Sequence, residues 1–247
     1  MATPTLYVFT ISHYCEKARW ALDYLGIDYR IEHIAPGFHV ALAKRLGLPA
    51  RTLPVVADDS GTVQGSAAII DWAEKRSGGE KTLTPDDGAD ECRAIEKRLD
   101  DVGGVNTRRW FYSEAMVEHP AAVKPVFVSH LPWLQRVAIG AAWSTIRRKM
   151  IEQMDLGREQ EDDSRSIIDG ELEWLDGLLA DGRPFLVGDT FTRADLTAAS
   201  LFARMASPPE HPVYEYMFTP PRMGATLEQW NERPVLRWIR GLYKQFR

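Results

Sequence analysis

Residues 52–66 decide the fold: Thr52-Leu53-Pro54-Val55-Val56-Ala57, a turn from Asp58 to Gly61, then Thr62-Val63-Gln64 and Gly65-Ser66. The first and third segments read as the arms of a β-hairpin. Pro54 stands at its entrance, where a missing ladder N–H is tolerated. A helix opens at Ser66, carries Ile69, Ile70 and Ala73 inward, and ends near Gly78-Gly79.

Working back toward the N-terminus, residues 6–11 are apolar almost throughout and predict a strand buried on both faces. Cys15, Ala18, Leu22 and Leu25 share one helical face, so a helix is expected from Cys15 to Leu25 with Gly26 as its stop. Residues 28–34 alternate as a second strand. A short helix is expected from Phe38 to Leu46, ended by Gly47 and Pro49. The order β-α-β-α-β-β-α over residues 1–78 is that of an α/β thioredoxin-like domain.

Working forward, residues 79–90 have the polar, Gly/Pro-rich character of a linker. Residues 91–247 show only helical stripes and predict an all-α domain. The stripes are Cys92, Ile95, Leu99 and Val102; Ile168, Leu172, Leu175 and Leu179; and Val235, Ile239, Leu242 and Phe246. Several short or bent helices are expected from Val105 to Leu156, because Pro120, Pro125 and Pro132 interrupt that segment.

Composition narrows the function. A formal charge of −5 over 247 residues argues against a nucleic-acid partner. The two cysteines, Cys15 and Cys92, suit a reducing compartment, and the N-terminus lacks a secretory pattern, so a cytoplasmic location is expected. The six histidines (His13, His33, His39, His119, His130 and His211) show no paired metal spacing, and no metal is expected. The apolar stretch Leu131–Trp143 is too short to span a bilayer. Followed by Arg147, Arg148 and Lys149, it reads as a buried helix with a solvated basic end in preference to a membrane-surface helix.

Four features together resemble the cytosolic glutathione S-transferase family of serine type. They are Ser12-His13-Tyr14-Cys15 between strand and helix, Leu53-Pro54, Ser66 opening the third helix, and Thr192-Arg193-Ala194-Asp195. Thr192 and Asp195 also read physically as a capping box, flanked by Phe191 and Leu196 at the staple positions.

The resemblance implies glutathione as cosubstrate, with a small electrophile as second substrate, and a homodimer. It implies a cis Leu53-Pro54 bond and backbone pairing of Leu53 with the cysteinyl unit. The Ser66 hydroxyl and N–H would hold the γ-glutamyl carboxylate, and His39 and Arg51 would meet the glycyl carboxylate. Ser12 is the catalytic candidate, stabilising a thiolate, and it reads equally as a plain N-cap of the following helix. Ser12 also replaces the first cysteine of a redox Cys-x-x-Cys pattern, which argues against dithiol chemistry. Cys15 reads as a buried structural thiol.

Tyr14, Trp110, Phe111 and Tyr112 are the expected walls of the second-substrate pocket. The family's pattern has a polar residue before Ser66. Here Gly65 stands in its place, and Gln64, one position early, is the polar residue expected to contact glutathione. That departure supports the alternative of a non-catalytic binding or regulatory protein with the same fold.

Overall fold

A computed structural model describes residues 3–128, 131–213 and 218–247. The chain forms two compact units. One comprises Met1–Thr82 with Lys124–Ile146, the other Leu83–Val123 with Arg147–Arg247.

The first unit runs β1 (Thr5–Val8), α1 (His13–Tyr24), β2 (Arg30–His33), α2 (Phe38–Arg45), β3 (Val55–Asp58), β4 (Gly61–Gln64) and α3 (Ser66–Glu74). These elements follow the expected order and form one sheet, β2-β1-β3-β4. β1 pairs with β2 in parallel and with β3 antiparallel, and β3 and β4 make the hairpin. Leu6, Val8, Val55 and Val56 of the strands are buried, as are Ala18, Trp20 and Leu22 of α1 and Ile69, Ile70 and Ala73 of α3. Asp58 shapes the hairpin turn by accepting from the Ser60 N–H at 2.8 Å, and Arg76 beyond α3 pairs with the same carboxylate.

β1 is shorter than the apolar run suggests. The chain turns after Val8, where the Ser12 N–H donates to the Phe9 carbonyl at 3.2 Å. Apolarity in that run therefore marks burial of the strand and its exit loop, without marking where the ladder stops.

The second unit is helical among the described residues. α4 (Ala89–Arg98) continues through a π-type segment, Leu99–Gly104, into α5 (Val105–Val117). A Cβ on Gly103 would come within 2.8 Å of the Phe202 ring, so the wide turn and the glycine together admit that ring. α6 (Pro120–Val128) and α7 (Trp133–Met154) are divided between the two units, and α8 (Arg158–Leu178), α9 (Arg193–Ala206), α10 (Pro221–Trp230) and α11 (Pro234–Phe246) complete the second.

The expectation of short or bent helices up to Leu156 is corrected by α7, which runs 22 residues. Pro120 opens α6 and Pro132 immediately precedes α7. There a ring that lacks an N–H interrupts nothing, and no proline follows within α7.

α9 is the buried centre of this unit, with every residue from Arg193 to Ala206 enclosed. Its start is the expected capping box. The Asp195 carboxylate accepts from the Thr192 N–H (2.8 Å), the Thr192 hydroxyl (2.7 Å) and the Leu186 N–H (2.7 Å). Burial pushes this carboxyl up to about 6, against the pull of those three donors. Arg193, fully enclosed, donates to Glu96 at 2.6 Å and to the Thr84 hydroxyl at 3.1 Å, tying α9 to α4 and to the segment before it. The sequence carried no sign of this pair, whose members lie 97 positions apart.

Candidate functional site

Strand register gathers the candidate residues at one end of the sheet. Tyr7 pairs with Val55 and Val55 with Gln64, while Val8 pairs with His33. The exit of β1 (Phe9 to Ser12), the exit of β2 (Ile34 to His39), the approach to β3 (Arg51 to Pro54) and the exit of β4 (Gly65, Ser66) therefore share that end. In α/β folds this is where loops and helix N-termini meet ligands.

Ser12 is the N-cap of α1. Its Oγ accepts from the Cys15 N–H at 3.3 Å, so the capping role is realised. Its hydroxyl favours the ionised form of the Cys15 thiol. Burial nevertheless pushes that thiol up to about 11, which leaves Cys15 protonated and unreactive at neutral pH. His13 and Tyr14 follow in the first turn, half-buried, with ring centroids 4.5 Å apart.

Leu53-Pro54 is cis, and the Pro54 carbonyl accepts from the Gly65 N–H at 3.0 Å. Leu53 thus sits just outside the ladder that begins at Val55.

The loop before it is held by Gln64. The Gln64 Oε1 accepts from the Ala50 N–H at 3.3 Å, and Nε2 donates to Ala50 O (2.9 Å), Thr52 O (2.8 Å) and Thr52 Oγ1 (3.3 Å). Expected from sequence as a ligand contact, Gln64 instead has its whole amide engaged by residues 50–52. No local pattern could have shown this, because the partners lie 12–14 positions away.

Gly65 adopts φ +95°, a conformation that disfavours any residue with a Cβ. The space a side chain would enter is open, with nothing within 4 Å of a Cβ placed there. The backbone therefore explains the glycine where the family pattern has a polar residue. As N-cap of α3, Gly65 also provides no capping side chain. Ser66 opens the helix and is buried.

The His39 ring packs edge-on against Phe9 at 5.1 Å, and its Nδ1 accepts from the Gly37 N–H at 3.0 Å. Burial holds this imidazole below its ordinary range. The charge of Arg51 acts the same way, against a backbone hydrogen bond at Ala35 that favours the charged form. His39, Arg51, Phe9 and the Ser12 loop are thus one neighbourhood.

Trp110, Phe111 and Tyr112 belong to the other unit, and all three are buried. Trp110 packs on Trp230 at 5.3 Å, Phe111 lies 5.0 Å from Tyr112, and the Arg204 guanidinium covers Phe111. These rings, expected as pocket walls, form core in place of an exposed wall. Among the described residues no group of three His, Cys, Asp or Glu side chains could hold a metal, and His130 lies outside them.

Residues 6–81 match the glutathione S-transferase N-terminal domain family and residues 132–241 the C-terminal domain family. No curated protein matches the sequence. Among solved structures, the glutathione transferase GSTFuA3 of Phanerochaete chrysosporium is similar at TM-score 0.69 and 17% identity, covering 100% of this chain and 98% of its own. CsGST63524 of Ceriporiopsis subvermispora, solved with glutathione, gives 0.65 and 17%, covering 99% and 98%. The β-etherase LigF of Sphingobium sp. strain SYK-6 gives 0.60 and 18%, covering 96% and 98%. The identities are low, so these structures speak for the fold, and the two domain matches speak for descent. With a mixed four-stranded sheet, a cis Leu53-Pro54 and a capping box opening a buried α9, the chain belongs to the glutathione S-transferase family.

Proposed function

We propose that this protein binds glutathione at the shared end of the sheet and transfers its thiolate to a small electrophile. The observation that carries the reading is the meeting there of three things: the α1 N-terminus with Ser12, the cis Leu53-Pro54 approach, and the α3 N-terminus with Ser66 and no capping side chain. Each fits one part of the tripeptide. A γ-glutamyl carboxylate suits the first turn of α3 and the Ser66 hydroxyl, where backbone N–H groups and the helix dipole favour an anion. The cysteinyl unit suits the Leu53 backbone as an added strand.

With the His39 imidazole held neutral, Arg51 is the cation available to a glycyl carboxylate. A thiol brought to Ser12 would meet the positive end of α1 and receive a hydrogen bond from the Ser12 hydroxyl. Both favour the ionised form, which is the nucleophile. Attack on an electrophilic carbon then forms the C–S bond: in a substitution the leaving group departs with the bonding electron pair, and in an addition the carbanion formed takes a proton from solvent.

Titration calorimetry of the purified protein with reduced glutathione tests the binding half. Ser66→Ala should weaken affinity about tenfold or more, the loss expected for a hydrogen bond to a charged group. No binding by the wild type at millimolar glutathione would end the proposal. The catalytic half is tested by Ser12→Ala, which should retain binding and lose turnover on a panel of electrophiles. Binding without turnover in the wild type would favour the non-catalytic reading, which draws on Gly65 and the engaged Gln64 amide.

A further inference from the structure

Between α2 and β3 the chain runs through residues 46–54 without helix or strand. Residues 50–52 of this connection are exposed, so packing does little to fix their path. Among the described residues, the Gln64 amide is the only hydrogen-bond partner of residues 49–53. It accepts from the Ala50 N–H at 3.3 Å and donates to the Ala50 carbonyl at 2.9 Å and the Thr52 carbonyl at 2.8 Å. The amide therefore holds the backbone immediately before and immediately after Arg51. Gln64 is itself anchored, because it pairs with Val55 in the β3–β4 ladder.

Arg51 is exposed and joins no ion pair among the described residues. Its charge acts on the His39 ring, which places the guanidinium near the exit of β2. No acidic side chain holds it there, so the backbone beneath it sets where the guanidinium can reach.

Resting on the reading of this end of the sheet as a glutathione site, we infer that Gln64 is a positioning residue for the glycyl end of the tripeptide. By clamping residues 50 and 52 it holds Arg51 ready for the glycyl carboxylate. Through Thr52 it also steadies the Leu53 backbone offered to the cysteinyl unit. Gln64 acts only through the loop, since its amide is already engaged there. A loop fastened before the ligand arrives has less conformational freedom to lose on binding, and the gain appears as affinity for the end of the ligand that the loop meets.

The test compares reduced glutathione with its glycyl ethyl ester, which carries a neutral ester in place of the glycyl carboxylate. By calorimetry the wild type should bind glutathione about tenfold or more tightly than the ester, the ratio expected for a hydrogen bond to a charged group. Arg51→Ala should bring the ratio near unity, and Gln64→Met and Gln64→Leu should each lower it toward the Arg51→Ala value. Ser66→Ala, acting at the γ-glutamyl end, should weaken both ligands and keep the wild-type ratio. A general loss of stability cannot imitate this pattern, because an unfolded fraction weakens both ligands by the same factor. Gln64 variants that keep the wild-type ratio overturn the inference and leave the glutathione site standing. A wild type that binds both ligands equally also overturns it, since Arg51 then does not meet the glycyl carboxylate. No binding of either ligand by the wild type ends the glutathione reading, and this inference with it.

Discussion

Two helix starts in this molecule, both family motifs, are resolved in opposite ways. The start of α9 is closed from within: Asp195 accepts from two backbone N–H groups and one hydroxyl, all in a fully enclosed setting. The start of α3 has Gly65 as N-cap and so no capping side chain, with open space beside it. The first is a fastening, complete in itself. The second has no such side-chain cap, and under the proposed function its first turn is where a ligand carboxylate would bind. The α1 start lies between them, since Ser12 closes it with a single bond, accepted from the Cys15 N–H. The lesson is that the same kind of helix start can be fastened by its own side chain or built without one.

The largest effect expected from this contrast is at α9. Asp195→Ala leaves three buried donors without a partner and should destabilise the protein by about 3 kcal/mol or more, read from the urea midpoint. Asp195 also sharpens the electrostatic side of the comparison. Burial raises its folded pKa to about 6, above an unfolded value of about 4, so the folded state takes up this proton first. Its contribution is therefore fully present below about pH 4 and is lost as pH rises through about 6. The stability of wild type relative to Asp195→Asn should grow as pH falls between those values. A gap that grows toward neutral pH would show that the three donors, and not burial, govern this carboxyl.

A middle effect is expected at α3, where Gly65→Gln restores the family's polar residue in a backbone suited to glycine. Strain should lower stability by roughly 1–3 kcal/mol, while glutathione affinity rises. Lower stability with unchanged affinity would break the comparison, because the α3 start would then serve no ligand. The smallest effect is at Gln64. Gln64→Met keeps the length and loses the loop contacts, for about 1 kcal/mol of stability. Its clearer readout is faster tryptic cleavage after Arg51, measured without any ligand.

Much of this was legible in the sequence for a local reason. Strand alternation, the helical stripes and the Thr192–Asp195 box involve neighbours a few positions apart, and so does the cis proline's place at the head of the hairpin. The helix expected over Cys15–Leu25 starts two residues earlier, at His13, because Ser12 caps it ahead of the apolar face. The family resemblance then pointed, through Ser12, Leu53, Pro54 and Ser66, to the end of the sheet where the site is proposed.

What escaped the sequence was decided by contacts between distant residues. The engagement of Gln64 by residues 50–52 depends on the β3–β4 register and on the path of the loop. Whether Trp110, Phe111 and Tyr112 line a pocket or fill a core depends on Trp230 and Arg204, which no pattern near residue 110 announces. α7, read from sequence as buried, is the clearest instance: Ile139 is covered while Trp133, Leu134 and Val137 are exposed, and periodicity cannot say which apolar side is covered. By itself, then, the sequence determined the elements, their order and the motifs that cap and turn them, because those follow from backbone preference and near neighbours. Only the tertiary structure decided which polar groups are satisfied and which apolar faces are left open, because satisfaction and burial are properties of packing.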